Sequence, residues 1–166
     1  MFLTRLLTFI FAAFVLTAYA QADEKTFFNG IKGKWAGSGQ IVAGKYKGTH
    51  FTCFFDGDLP ESIMGMSIDG NCRVGVFNQK MNAKVSKRGS KYKGSFLDGA
   101  KGKGLDIVSG RFLKGKKAFV MDLRRKKLVG AMRAQLISQD KMNISISVLV
   151  NKKYIPVIGL DLKRRG

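Results

Sequence analysis

The strongest constraint on this fold is a period of two. Met142, Ile144, Ile146, Val148 and Val150 alternate with Asn143, Ser145, Ser147 and Leu149. Extended backbone sends successive side chains to opposite faces, so this spacing buries one face of a strand and wets the other. The same alternation recurs in Phe119, Met121 and Leu123, in Phe51, Cys53 and Phe55, and in Tyr92, Gly94 and Phe96. Met64, Met66, Ile68, Gly70, Cys72, Val74 and Val76 hold one parity through a longer stretch. No long helical period competes with these runs after residue 31.

Turn-forming clusters punctuate the alternation. They include Ala43-Gly44-Lys45, the segment from Asp56 to Pro60, Lys87 to Ser90, Asp98-Gly99, Lys114 to Lys116 and Asn151 to Lys153. The pattern predicts ten strands, at 33–42, 46–56, 62–77, 80–87, 90–97, 103–113, 116–124, 127–137, 141–150 and 153–162. The third is long enough to be two strands turning at Asp69-Gly70-Asn71. Short strands at even spacing predict an all-β fold, an antiparallel up-and-down meander closed into a small barrel of about eight to ten strands. A short helical turn is expected from Asp23 to Asn29, with Phe27, Phe28 and Ile31 packed against one barrel end.

Residues 1–22 have the order of a cleavable export signal. Arg5 is followed by an uncharged run from Leu6 to Ala18, shorter than the roughly 20 residues of a spanning helix. Two overlapping small-x-small sites follow, Ala18-Tyr19-Ala20 and Ala20-Gln21-Ala22. The second places the mature start at Asp23 and leaves residues 23–166 as one domain. The expectation is a periplasmic or secreted protein with no integral membrane anchor. Cleavage takes only Arg5 from the formal charge of +19, leaving +18. So basic a domain favours anionic surroundings or partners, although basic surfaces also serve solubility alone. In an oxidising compartment the two cysteines, Cys53 and Cys72, are expected to form a structural disulfide worth about 3 kcal/mol.

The chemistry-bearing residues form no catalytic constellation. His50 is the single histidine, and its place beside Thr52 in an alternating strand points it to solvent. Asp56, Asp58 and Glu61 cluster, but without the ligand register of a calcium loop, so they read as turn residues. Gly102-Lys103-Gly104 lacks the G-K-[ST] ending and strand-to-helix context of a phosphate loop. No catalytic, cofactor-binding or metal-binding residues are assigned, and a non-enzymatic protein is expected.

Gly33-Lys34-Trp35 opens the first strand, directly after the helical turn. It resembles the G-x-W entry of calycin barrels, the lipocalins and their relatives. That resemblance implies that Trp35 sits at the closed end of an up-and-down barrel. It also implies a basic residue from the end of the last strand across the ring, a role for which Lys163, Arg164 and Arg165 are available. The T-D-Y segment of lipocalins is absent. Gly70-Asn71-Cys72-Arg73-Val74-Gly75-Val76-Phe77 is similar to segments of uncharacterised small exported alphaproteobacterial proteins, a likeness that carries no activity.

In a meander, alternate turns share one barrel end. Strand parity collects Lys45, Lys80, Lys101, Lys103, Arg124, Arg125, Lys126, Lys127, Lys152 and Lys153 at one end. Asp56, Asp58, Glu61 and Asp140 fall at the other. In a calycin layout the basic end is the mouth, and its candidate rim is Lys101, Lys103, Arg124, Arg125, Lys126, Lys127, Lys152 and Lys153. The interior behind it is either filled by its own Phe, Met and Ile side chains or hollow enough for an amphiphile with an anionic head. Two other roles fit the composition. One is adhesion to anionic polysaccharide, membrane headgroups or, less favoured, nucleic acid, driven by charge and weakened by salt. The other is a secreted factor engaging an envelope or host protein.

Overall fold

The computed structural model describes residues 23–61, 63–97 and 105–166. The expected export signal, Lys101 and Lys103 lie outside the described residues. Helix α1 (residues 23–31) precedes ten strands: β1 (Gly33–Ile41), β2 (His50–Asp58), β3 (Gly65–Val74), β4 (Phe77–Arg88), β5 (Lys91–Leu97), β6 (Leu105–Leu113), β7 (Ala118–Arg125), β8 (Leu128–Leu136), β9 (Lys141–Val150) and β10 (Lys153–Arg165). Each strand pairs antiparallel with its chain neighbour. β1 also pairs with β10, which closes the barrel.

The alternation explains this closure. On β7, Phe119, Met121 and Leu123 face inward and are buried, while Arg124 is exposed. They lie opposite Ala134, Met132 and Gly130 of β8. On β9, Met142 and Ile144 are buried opposite Leu162 and Leu160 of β10. Each inward side chain of this size contributes roughly 1.5–3 kcal/mol when fully buried. A barrel also leaves none of its strands with an unpaired edge.

Two expectations are corrected. β3 runs through Asp69-Gly70-Asn71 without turning, in continuous register with β4 from Gly65 opposite Ser86 to Val74 opposite Phe77. The sequence carries a turn signal, but Gly70 faces inward, where a β-carbon would lie 2.8 Å from the Phe55 ring. Its missing side chain makes room for an aromatic instead of a bend. β2 begins at His50 and not at residue 46, because residues 42–49 form a longer loop closed by Gly48 N–H donating to the Ile41 carbonyl at 2.8 Å.

Helix α1 covers one end of the barrel. Phe27, Phe28 and Ile31 are buried there, as expected from their spacing. Phe28 meets Phe119 edge-on at 5.2 Å between ring centres, and Tyr92 meets Phe119 at 4.7 Å. Glu24 is also buried, and it receives the Lys87 ammonium at 2.6 Å, which ties helix to barrel. Tyr92 lies within the same layer. Its hydroxyl is buried with no hydrogen-bond partner among the described residues.

Candidate functional site: a hollow half-barrel with a basic mouth

The interior divides into two halves. Near α1 it is packed solid by Phe27, Phe28, Trp35, Met66, Tyr92, Phe119, Met142 and Leu162. The other half holds a cavity of about 200 Å³. Phe55, Ile68, Ala83, Phe96, Met132, Ile144 and Leu160 line its deeper part. Ile41, Val74 and Gln79 line it near the strand ends away from α1. The cavity is smaller than the roughly 300–1,000 Å³ of most ligand pockets. It exceeds the ~150 Å³ apolar void that in another protein accepts benzene. Walls of this chemistry are apolar and offer water few partners.

Cys53 and Cys72 form the expected disulfide. They are direct cross-strand partners on β2 and β3, and both line the cavity. The sequence indicated the bond but not its place in the wall of a void.

The β7–β8 hairpin carries Arg124, Arg125, Lys126 and Lys127, and the neighbouring β9–β10 hairpin carries Lys152 and Lys153. Both lie at the end opposite α1. Lys45 lies in the β1–β2 loop and Lys80 near the start of β4, at the same end. Among the described residues Asp106, near the start of β6, is an acid at this end. Arg124, Lys126, Lys127, Lys152 and Lys153 are exposed. Arg125 instead has the strand parity of Leu123 and is partly buried.

Three rim residues without glycine's freedom adopt left-handed backbone: Lys126 (φ 52°), Asn151 (φ 48°) and Lys152 (φ 63°). Asn suits such a position, whereas a lysine there is uncommon. The β9–β10 turn has positive φ at both central residues, the conformation that matches strand twist in a two-residue hairpin.

At the α1 end Trp35 and Arg164 pack against each other. Trp35 is buried and donates its indole N–H to the Ile31 carbonyl at 2.8 Å. Arg164 is its direct cross-strand partner, with the guanidinium carbon 4.3 Å from the ring centre. The guanidinium also donates to the carbonyls of Gly30 (2.9 Å), Lys32 (2.5 Å) and Gln139 (3.0 Å). Gly33 stands at φ 115°, and a β-carbon there would lie 2.6 Å from an Arg164 nitrogen. The glycine of G-x-W is thus required by backbone and by the arginine together.

His50 is exposed, with Gln40 as its side-chain neighbour at 3.4 Å. Asp58 accepts a hydrogen bond from the Leu59 N–H at 2.8 Å, a turn role. Among the described residues no three His, Cys, Asp or Glu side chains group as metal ligands. Sequence reasoning missed the exposed apolar residues of the mouth. Val76 and Phe77 are 90% and 77% exposed, and Val150, Tyr154 and Leu128 are exposed nearby. Their signal was visible as a valine and a phenylalanine next to a hairpin glycine.

No protein-family model and no curated protein matches the chain.

Proposed function

We propose that this protein is an exported, non-enzymatic carrier of a small anionic amphiphile. The apolar chain lies in the cavity and the anionic head meets the cationic mouth. One observation carries this reading: the void is in the half of the barrel whose strand ends bear Arg124, Lys126, Lys127, Lys152 and Lys153 with few acids among the described residues. The α1 end mixes its lysines and arginines with Asp23, Glu24 and Asp140. The Trp35–Arg164 closure supports a calycin-like barrel, in which one end is sealed and the other receives ligand. The export segment and the disulfide fit a protein working in the periplasm or outside the cell.

The test is calorimetric titration with decanoate and with decanol. Decanoate should bind, and decanol should bind about tenfold more weakly, since it lacks the charge-assisted contact. Ala83→Phe places a ring in the void and should remove binding of both. Should that variant not fold, Ile146→Phe fills the void nearer the mouth. Decanoate binding unchanged by a filled cavity, or no binding to the native protein, would overturn the proposal.

A further inference from the structure

We infer that the mouth of the barrel docks onto an anionic lipid bilayer, with Val76 and Phe77 entering the interface while the lysines of the β7–β8 and β9–β10 hairpins at the same end meet the headgroups. The inference rests on the carrier reading for its purpose, since the bilayer would be source or recipient of the amphiphile. Its geometry stands on separate observations.

The first is where the apolar side chains lie. Single exposed hydrophobics are normal on any protein surface. Here most of them lie at one pole, while Ile63 and Ile137 are exposed at the other. Gly75 (φ 56°) and Val76 form the two-residue turn between β3 and β4. A glycine at its first central position is what such a turn needs. The second position makes no demand for a β-branched apolar residue, and turns favour polar ones. Val76 is 90% exposed, so it does nothing for the core. Phe77 follows it, and Val150 and Tyr154 flank the β9–β10 turn at the same end.

The second is charge complementarity. Lys126, Lys127, Lys152 and Lys153 lie at the same end on the β7–β8 and β9–β10 hairpins, across the barrel from the β3–β4 turn. The α1 end has cations of its own, among them Lys25, Lys87, Lys114 and Arg164, but Asp23, Glu24, Asp56, Asp58, Glu61 and Asp140 lie towards it and offset them. The molecule therefore has one pole that anionic headgroups attract and another that they attract less, which orients the mouth towards the membrane. Near an anionic bilayer each lysine raises affinity by a factor of about five at low salt. Apolar tips among lysines are the composition of interfacial anchors, which combine shallow burial with headgroup attraction. A nucleic-acid surface would use the lysines but would give Val76 no role.

The experiment is co-sedimentation of the mature chain with vesicles of phosphatidylcholine alone or mixed with phosphatidylglycerol. Binding should be about tenfold or more stronger to the mixed vesicles and should weaken with salt. The double variant V76D/F77D should lose about tenfold or more in binding while keeping the native melting temperature, since both positions are exposed. It should still bind decanoate, and Ala83→Phe should still sediment. Equal binding to the two vesicle types, or unchanged sedimentation of V76D/F77D, overturns the inference. So does a native dimer in sedimentation velocity that the double variant dissociates without any vesicle binding, which would assign the pole to self-association. Failed sedimentation with intact decanoate binding overturns docking alone. The reverse result overturns the carrier reading and leaves docking in place.

Discussion

Arg164 lies across Trp35 as its cross-strand partner, 4.3 Å from the ring centre, and binds three backbone carbonyls from α1 and the β8–β9 turn. One side chain thus joins the first strand, the last strand, the helix end and a turn. Arg164→Ala should destabilise by about 2–4 kcal/mol, from the lost cation–π contact and carbonyls left without a donor. Arg164→Lys should recover less than half of that, because an ammonium cannot span the carbonyls and stack at once. The Asp140 contact at 3.6 Å adds little, since that carboxylate is largely exposed. Urea unfolding of the two variants measures both effects.

Gly33→Ala should cost about 2 kcal/mol or more. The variant must hold φ near 115° or move the Arg164 guanidinium, and such backbone strain alone costs roughly 1–3 kcal/mol. Combined with Arg164→Ala the two effects should be less than additive, because the clash disappears with the arginine. A double-mutant cycle in urea checks this.

Tyr92→Phe should leave stability at pH 7 unchanged or raise it by up to about 1 kcal/mol, since it removes a buried hydroxyl without a partner among the described residues. Burial first, and then the nearby Glu24, hold the Tyr92 pKa far above the usual tyrosine range. An unfolded tyrosine loses its proton near pH 10, so above that pH the folded state binds more protons than the unfolded one. The stability from this group is full below about pH 10 and falls as pH rises further. The advantage of Tyr92→Phe over the native chain should therefore widen above pH 10. Urea midpoints of the pair at neutral and alkaline pH test the sign.

Lys126→Gly with Lys152→Gly should stabilise the barrel by about 1–2 kcal/mol, because glycine adopts left-handed backbone without the cost of a β-carbon. The same variant should lose about twentyfold in affinity for phosphatidylglycerol vesicles. Thermal melts and co-sedimentation together measure this opposition. A gain in stability with no loss of vesicle binding would remove these two lysines from the docking surface.

The barrel was legible because alternation and turn chemistry agree along nearly the whole chain. Met142 to Val150 specifies a strand, and Asn151-Lys152 specifies how it turns. Parity also placed Lys126 and Lys152 at one end, since that needs only a count of strands. Asp69-Gly70-Asn71 misled, because a glycine reads the same whether it bends a chain or yields space to Phe55. The cavity was not legible. Whether Phe55, Ile144 and Met132 meet in the centre depends on barrel radius and rotamers, which no periodicity encodes. Arg164 could be narrowed to three adjacent residues but not chosen among them, since the choice rests on the inward parity of one register.

The hollow half of the barrel forgoes the packing that holds the α1 end together, and the Cys53–Cys72 bond lies in its wall. The covalent tie and the missing side-chain contacts are therefore two sides of one trade. Where the barrel keeps room for a guest, it replaces close packing with a cross-link between β2 and β3. It follows that the bridge should become dispensable once the space is filled. Replacing both cysteines by serine should cost about 2–4 kcal/mol in the native chain, and clearly less with decanoate bound. In that sense a guest would serve as the missing part of the core.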